Sequence, residues 1–285
     1  CLALWALVAA WAGKPPNIDP AVQTGARAGA DAALIIGNEG YKALPQAVWA
    51  TDDARSFRGW AELTRGISKR RIEFATDVGQ ADIIKLAKRA SWRVKSRGTL
   101  WVYFAGHGTV DASGRRLLLP VEADAGDLEA TGVPLDSLVA TLRKTKRAAR
   151  VVVVLDAGFG NVARDGFELI PGREIEVPVG FPTDDERVVY LAADAGAGRA
   201  GPYEPAKHGL FTWALLGALR GWADGEVDGE RDGRVTLEEA QLHGRRVGRQ
   251  LHRTVDPWLE PRATHGSWTL AQGDHLEAGP PEALV

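Results

Sequence analysis

Three short stretches of the chain place reactive side chains among small residues. YFAGHG, residues 103–108, closes an apolar run on His107 between two glycines, and LDAGFG, residues 155–160, closes another on Asp156 followed by small residues. A histidine between glycines at a strand end leaves room for a ligand against its ring and titrates near neutrality, which suits a general acid or base. The same ring could equally serve the fold by bonding a nearby carbonyl, and its residue type leaves both readings open. The third stretch, DGERDGRVTLEE at 228–239, fits the twelve-residue calcium loop, in which oxygens come from positions 1, 3, 5, 7, 9 and 12 around a glycine at position 6. Those positions hold Asp228, Glu230, Asp232, the backbone of Arg234, Thr236 and Glu239, with Gly233 at the sixth and Val235 apolar at the eighth. Glu230 is longer than the usual third ligand and Arg234 adds a cation, so a purely structural turn competes with calcium binding. One such loop suits a calcium ion that braces the fold rather than a sensor.

The elements that must position these groups follow a regular pattern. From residue 31 apolar strands alternate with amphipathic helices, which predicts an α/β fold with a mostly parallel central sheet flanked by helices on both faces. Strands are expected at 32–37, 71–76, 99–106, 150–156 and 187–192, with a weaker last one at 267–270. Helices are expected at 52–63 (Ala54, Phe57, Ala61), 79–95 (Ile83, Ala87, Ala90, Val94) and 135–143 (Leu135, Leu138, Leu142), each with apolar residues at helical spacing. Phe211, Leu215, Leu219 and Trp222 line a helix entering the acidic loop, and Leu237, Ala240, Val247 and Leu251 one leaving it. In such sheets ligands bind beyond the carboxyl ends of the strands, where His107 and Asp156 both fall.

The balance of 37 acidic against 35 basic residues, a net charge of −2, excludes nucleic acid as the expected partner. The basic cluster Arg143, Lys144, Lys146, Arg147 and Arg150 reads as a solvated helix end. Residues 1–12 are apolar and close on Ala10, Trp11 and Ala12, the remnant of a secretory signal, and are too short to span a bilayer. Export to the periplasm or outside the cell follows, the alternative being a lipid anchor on Cys1. Residues 13–30, rich in Pro, Gly and Ala, read as a linker, 31–272 as the folded domain and 273–285 as a tail. His208, His243, His252, His265 and His275 show no metal-ligand spacing and are assigned no function, and the ten tryptophans read as packing.

Taken together, YFAGHG and LDAGFG resemble the histidine and nucleophile motifs of caspase-like cysteine peptidases, particularly the bacterial relatives of metacaspases. The spacing of about fifty residues from His107 to position 158 agrees with that family. LIIGNEGY followed by TDDARSF, and HGLFTWALLGALRGWAD followed by VTLEE, extend the resemblance from about residue 31 to about 270. It implies a caspase-like fold, His107 as general base, and an oxyanion hole built from the backbone N–H groups of Gly108 and Gly158. It also implies an acidic pocket at Asp156, with Asp194 as a second acid, that accepts an Arg or Lys side chain; a strand-end cap for Asp156 and a solvated loop acid for Asp194 are the competing readings. One position departs from the family: Gly158 stands where the nucleophilic cysteine belongs. Residues 155–165 offer no Ser, Thr, Cys, Lys or Tyr in its place. The expected function is that of a catalytically inactive pseudo-peptidase binding a peptide or protein ligand, basic in character. The alternatives are an active cysteine endopeptidase, if Gly158 is a variant of Cys, and a calcium-stabilised structural domain.

Overall fold

A computed structural model describes residues 14–145, 147–181, 185–193, 201–251, 258–260 and 266–279. The first half alternates as its sequence demands: β1 (Ala32–Gly37), α1 (Ala50–Gly59), β2 (Ile72–Thr76), α2 (Gln80–Arg93) and β3 (Thr99–Ala105). A small antiparallel sheet follows, β4 (Gly108–Val110), β5 (Arg116–Leu118) and β6 (Val133–Pro134), with the short α3 (Leu128–Thr131) before its last strand. Then come α4 (Leu135–Arg143), β7 (Arg150–Asp156), β8 (Val188–Ala192), the two-residue pair β9 (Pro202–Tyr203) and β10 (His208–Gly209), and α5 (Leu210–Gly217). The chain closes with β11 (Arg234–Thr236), α6 (Leu237–Gln250), β12 (Trp258–Glu260) and β13 (Thr269–Gln272).

The central sheet has the order β12-β8-β7-β3-β1-β2, parallel except for β12. Its strands read as unbroken apolar runs because both faces are covered. Alternate residues divide between two cores: Ala33, Ile35, Trp101, Tyr103, Val152 and Val154 pack with α1, α5 and α6, whereas Leu34, Leu100, Val102, Val151 and Val153 pack with α2 and α4. Gly37 lets α1 close on the sheet, since a Cβ there would overlap the Ala50 carbonyl. The register sets Gly37 beside Ala105 and Ala105 beside Asp156, so the loops after β1, β3 and β7 emerge side by side at one sheet edge.

The last strands and the two flanking segments pack as follows. The last expected strand, β13, pairs antiparallel with β11 outside the central sheet, and β12 takes the sixth place. Residues 14–30, within the expected linker, lie packed on the domain. Ile18 is buried in the core, Trp213 Nε1 donates to Pro16 O, Arg220 donates to Asn17 O and Pro20 O, Thr24 Oγ1 donates to Thr64 O, and Thr64 Oγ1 donates to Val22 O. The beginning of the expected tail is held as well, by an Arg220–Glu277 ion pair at 2.7 Å and by Glu277 N donating to Arg220 O. No helix among the described residues is long and apolar enough to cross a membrane; residues 1–12 lie outside the described residues.

Candidate active site

His107 is fixed from three sides. Its backbone N–H donates to the Tyr41 hydroxyl at 2.8 Å, its carbonyl accepts from Leu119 N, and its ring lies 4.6 Å from the Tyr41 ring. The ring Nε2 is 2.9 Å from Pro45 O. A carbonyl can only accept, so Nε2 carries the hydrogen and Nδ1 keeps the lone pair. Burial lowers the imidazole pKa from 6.5 to about 4, the Pro45 bond offsetting only part of this, so the ring is neutral at physiological pH. The ring is thus buried, neutral and oriented, its Nε2 bonded to a backbone carbonyl and its Nδ1 left as an acceptor.

The loops after β3 and β7 are joined by Gly106 N to Asp156 O at 3.3 Å and Gly108 N to Gly158 O at 3.1 Å. Position 158 therefore stands at the histidine loop, carrying no side chain. The same bond engages the Gly108 N–H, which was expected in an oxyanion hole, in holding the two loops together. The approach is so close that a Cβ on Gly108 would press on Gly158 O and the Phe159 ring.

Asp156, the expected pocket acid, is fully buried on the face covered by α1 and α5. Arg164, from the loop after β7, fills the space beside it: one guanidinium nitrogen, Nη2, lies 2.7 Å from Asp156 Oδ2 and 2.7 Å from Asp53 Oδ2, while Nη1 donates to Val48 O. Arg164 is as buried as the two carboxylates. Thr212 donates to Asp156 Oδ2 through both its N–H and its hydroxyl, and that hydroxyl lies 2.7 Å from Tyr103 Oη. Asp53 is held further by His208 Nδ1 at 2.7 Å and by Gly209 N. A Cβ on Gly209 would collide with Arg164 and Asp156, so glycine is required there for space. Burial raises the Asp156 pKa, Arg164 pulling it back and Asp53 adding to the rise. For Arg164, burial works against the charge and the two aspartates outweigh it, so its pKa rises. Asp156 Oδ1 has no hydrogen-bond partner among the described residues. Asp194, the expected second acid, lies outside the described residues; Asp53 is the second acid the structure brings to Asp156.

The acidic loop holds its shape through its own hydrogen bonds. Thr236 and Glu239, counted above as ninth and twelfth ligands, form a capping box at the start of α6: Glu239 N donates to Thr236 Oγ1 and Thr236 N to Glu239 Oε2. Glu239 Oε1 accepts from Gly225 N at 2.9 Å. Asp228 accepts from Glu230 N, and Asp232 is forked by Arg234, both at the surface. Asp224, before the loop, accepts from Asp232 N and Gly233 N. Among the described residues no three His, Cys, Asp or Glu side chains converge as a metal site. The carboxylates of Glu239 and Asp232 are directed to the chain itself.

Sequence reasoning missed Asp53, Arg164, His208 and Thr212. Asp53 left a signal, since it interrupts the apolar stripe Ala50, Ala54, Phe57 on the buried side of α1. Arg164 left none, because nothing local distinguishes an arginine that turns inward from one in solvent. A model of the caspase domain family matches residues 30–252, most of the chain. No curated protein matches.

Proposed function

The chain belongs to the caspase domain family, and we propose that within it this protein binds rather than cuts, its peptidase site being silent and closed from inside. The observation that carries this reading is the pairing of an oriented base with an empty position. His107 is held as a base through Nδ1, and the adjoining loop presents Gly158 with nothing for that base to activate. Hydrolysis by a water activated at His107 would forgo the covalent route and the Gly108 donor together, each worth orders of magnitude in rate.

The pair Asp53 and Asp156 suits a guanidinium, and Arg164 already supplies one. A basic side chain of a ligand would have to displace an arginine tethered in the same chain, whose effective concentration exceeds that of a free competitor. The test is cleavage of fluorogenic peptides ending in Arg, Lys or Asp by the natural chain, by Gly158→Cys and by His107→Ala, with and without calcium. The natural chain should release no fluorophore above the His107→Ala background. Turnover by the natural chain that His107→Ala abolishes would overturn the proposal.

A further inference from the structure

On the outer side of the Asp53 network, the N-terminal strap, α1 and the β9–β10 turn border an open cavity of about 460 Å³. Its inner wall presents His208 and Ser56, both buried. His208 Nδ1 is held by Asp53, so Nε2 is turned outward, and both Nε2 (3.2 Å) and the Ser56 hydroxyl (2.9 Å) meet one atom, Oδ1 of Asp19. Asp19 is itself 60 % exposed at the side chain. The main chain on either side of it is pinned, by Trp213 at Pro16 and by Arg220 at Asn17 and Pro20. Asp19 can therefore leave by side-chain rotation alone, with the strap in place. That rotation uncovers the Ser56 hydroxyl and His208 Nε2, aimed at one point; because Nδ1 donates to Asp53, Nε2 donates there when the ring is protonated.

We propose that this cavity binds a small dicarboxylate, one carboxylate taking the place of the Asp19 side chain against Ser56 and His208, and the other meeting the cationic rim of Lys14, Arg55 and Lys207. The inner position is already shown to suit a carboxylate, because the chain's own occupies it. The rim carries three cations against two exposed carboxylates, that of Asp52, which pairs with Arg55, and that of Asp19 itself. The volume matches a small-molecule site. Lys207 is held at the tip of the turn in the left-handed region, φ 58°, beside His208. The site is joined to the Asp53 network through His208, and ligand binding there does not depend on whether the chain turns over a peptide.

His208 sets the pH dependence. Burial disfavours its charge, but hydrogen bonds and attraction from Asp53 and Asp19 outweigh this and raise its pKa. Arg164, behind Asp53, and Lys207, Arg55 and Lys14 on the rim oppose the charge, while Asp52 favours it. The imidazolium is thus present at mildly acid pH and lost as pH rises.

The experiment is isothermal titration of the full chain with glutarate, acetate, inorganic phosphate and the peptide acetyl-Glu-Glu-amide, using the natural protein, Asp19→Ala and Asp19→Ala/Ser56→Ala. Asp19→Ala should bind glutarate about tenfold more tightly than the natural chain, roughly the worth of removing one competing carboxylate hydrogen-bonded by two donors. Adding Ser56→Ala should cancel most of that gain, and affinity should fall from pH 6 to pH 8. Glutarate should exceed acetate by a similar factor, because acetate leaves the rim unmet. Tighter binding of the peptide than of glutarate would assign the two carboxylates to acidic side chains. Equal binding of glutarate by the natural chain and Asp19→Ala, parity of acetate with glutarate, or preference for phosphate would each overturn the proposal. Ser56→Ala removes only a hydroxyl from a helix face, so it keeps the test decisive if larger changes at His208 unfold the protein.

Discussion

Arg164→Ala tests whether the closed pocket is a real energetic unit. The substitution deletes the guanidinium that bridges Asp53 and Asp156, leaving two fully buried carboxylates facing one another. Breaking a buried pair by removing one partner costs about 3–5 kcal/mol. Here His208, Gly209 N and Thr212 continue to donate to the two acids, which favours the lower end, about 3 kcal/mol at pH 7. For a domain of this size that is a fall in melting temperature of roughly 6–12 °C. The loss should shrink on acidification. Burial already raises the Asp156 pKa and Arg164 is what pulls it back, so in the variant the folded-state value climbs further above the unfolded one. A group raised in this way contributes stability that is complete below its unfolded pKa and lost as pH rises through its folded pKa. Urea denaturation at pH 7 and pH 5 measures both effects, and adding Asp156→Asn should recover part of the loss at pH 7 by removing one of the stranded charges. An Arg164→Ala chain within about 1 kcal/mol of the natural protein at pH 7, or a penalty that grows toward pH 5, would refute the argument.

Two other outcomes follow from the site. Because burial lowers His107 to about 4 against 6.5 when unfolded, its contribution is present above 6.5 and lost as pH falls toward 4, about 3 kcal/mol in all; His107→Asn, which keeps a donor for Pro45, should flatten that part of the curve, and an unchanged slope would show that the ring is not buried neutral. Thr236→Ala should cost about 1 kcal/mol in urea denaturation as the loss of a helix cap, and millimolar calcium should leave the melting temperature of the natural chain where a chelator leaves it; a rise of several degrees with calcium would mean that Glu239 abandons the cap for a metal.

The strands were legible because burial on both sheet faces demands unbroken apolar runs, and β1, β3 and β7 carry them. What a run cannot state is its partner. β13 has a strand's sequence but pairs with β11, while β12, in a stretch that reads as no more than a packing tryptophan between prolines, joins the central sheet. The strap at 14–30 lacks periodicity because its order comes from Trp213, Arg220 and Thr64, which grip its carbonyls from distant elements.

The motif spacing, the glycine at position 158 and the placement of His107 and Asp156 at one sheet edge were determined by the sequence, since each follows from local residue types on parallel strands. The contents of the pocket were decided by tertiary structure alone. Arg164 and Asp53 are 111 residues apart, and only the packing of α1 and α5 against the sheet brings a third charge between two acids that sequence separation keeps apart. The acidic loop divides in the same way. Its ligand-like spacing is a property of the chain, whereas Glu239 turns to Thr236 and Gly225 because a helix start has unsatisfied N–H groups that the nearest carboxylate meets.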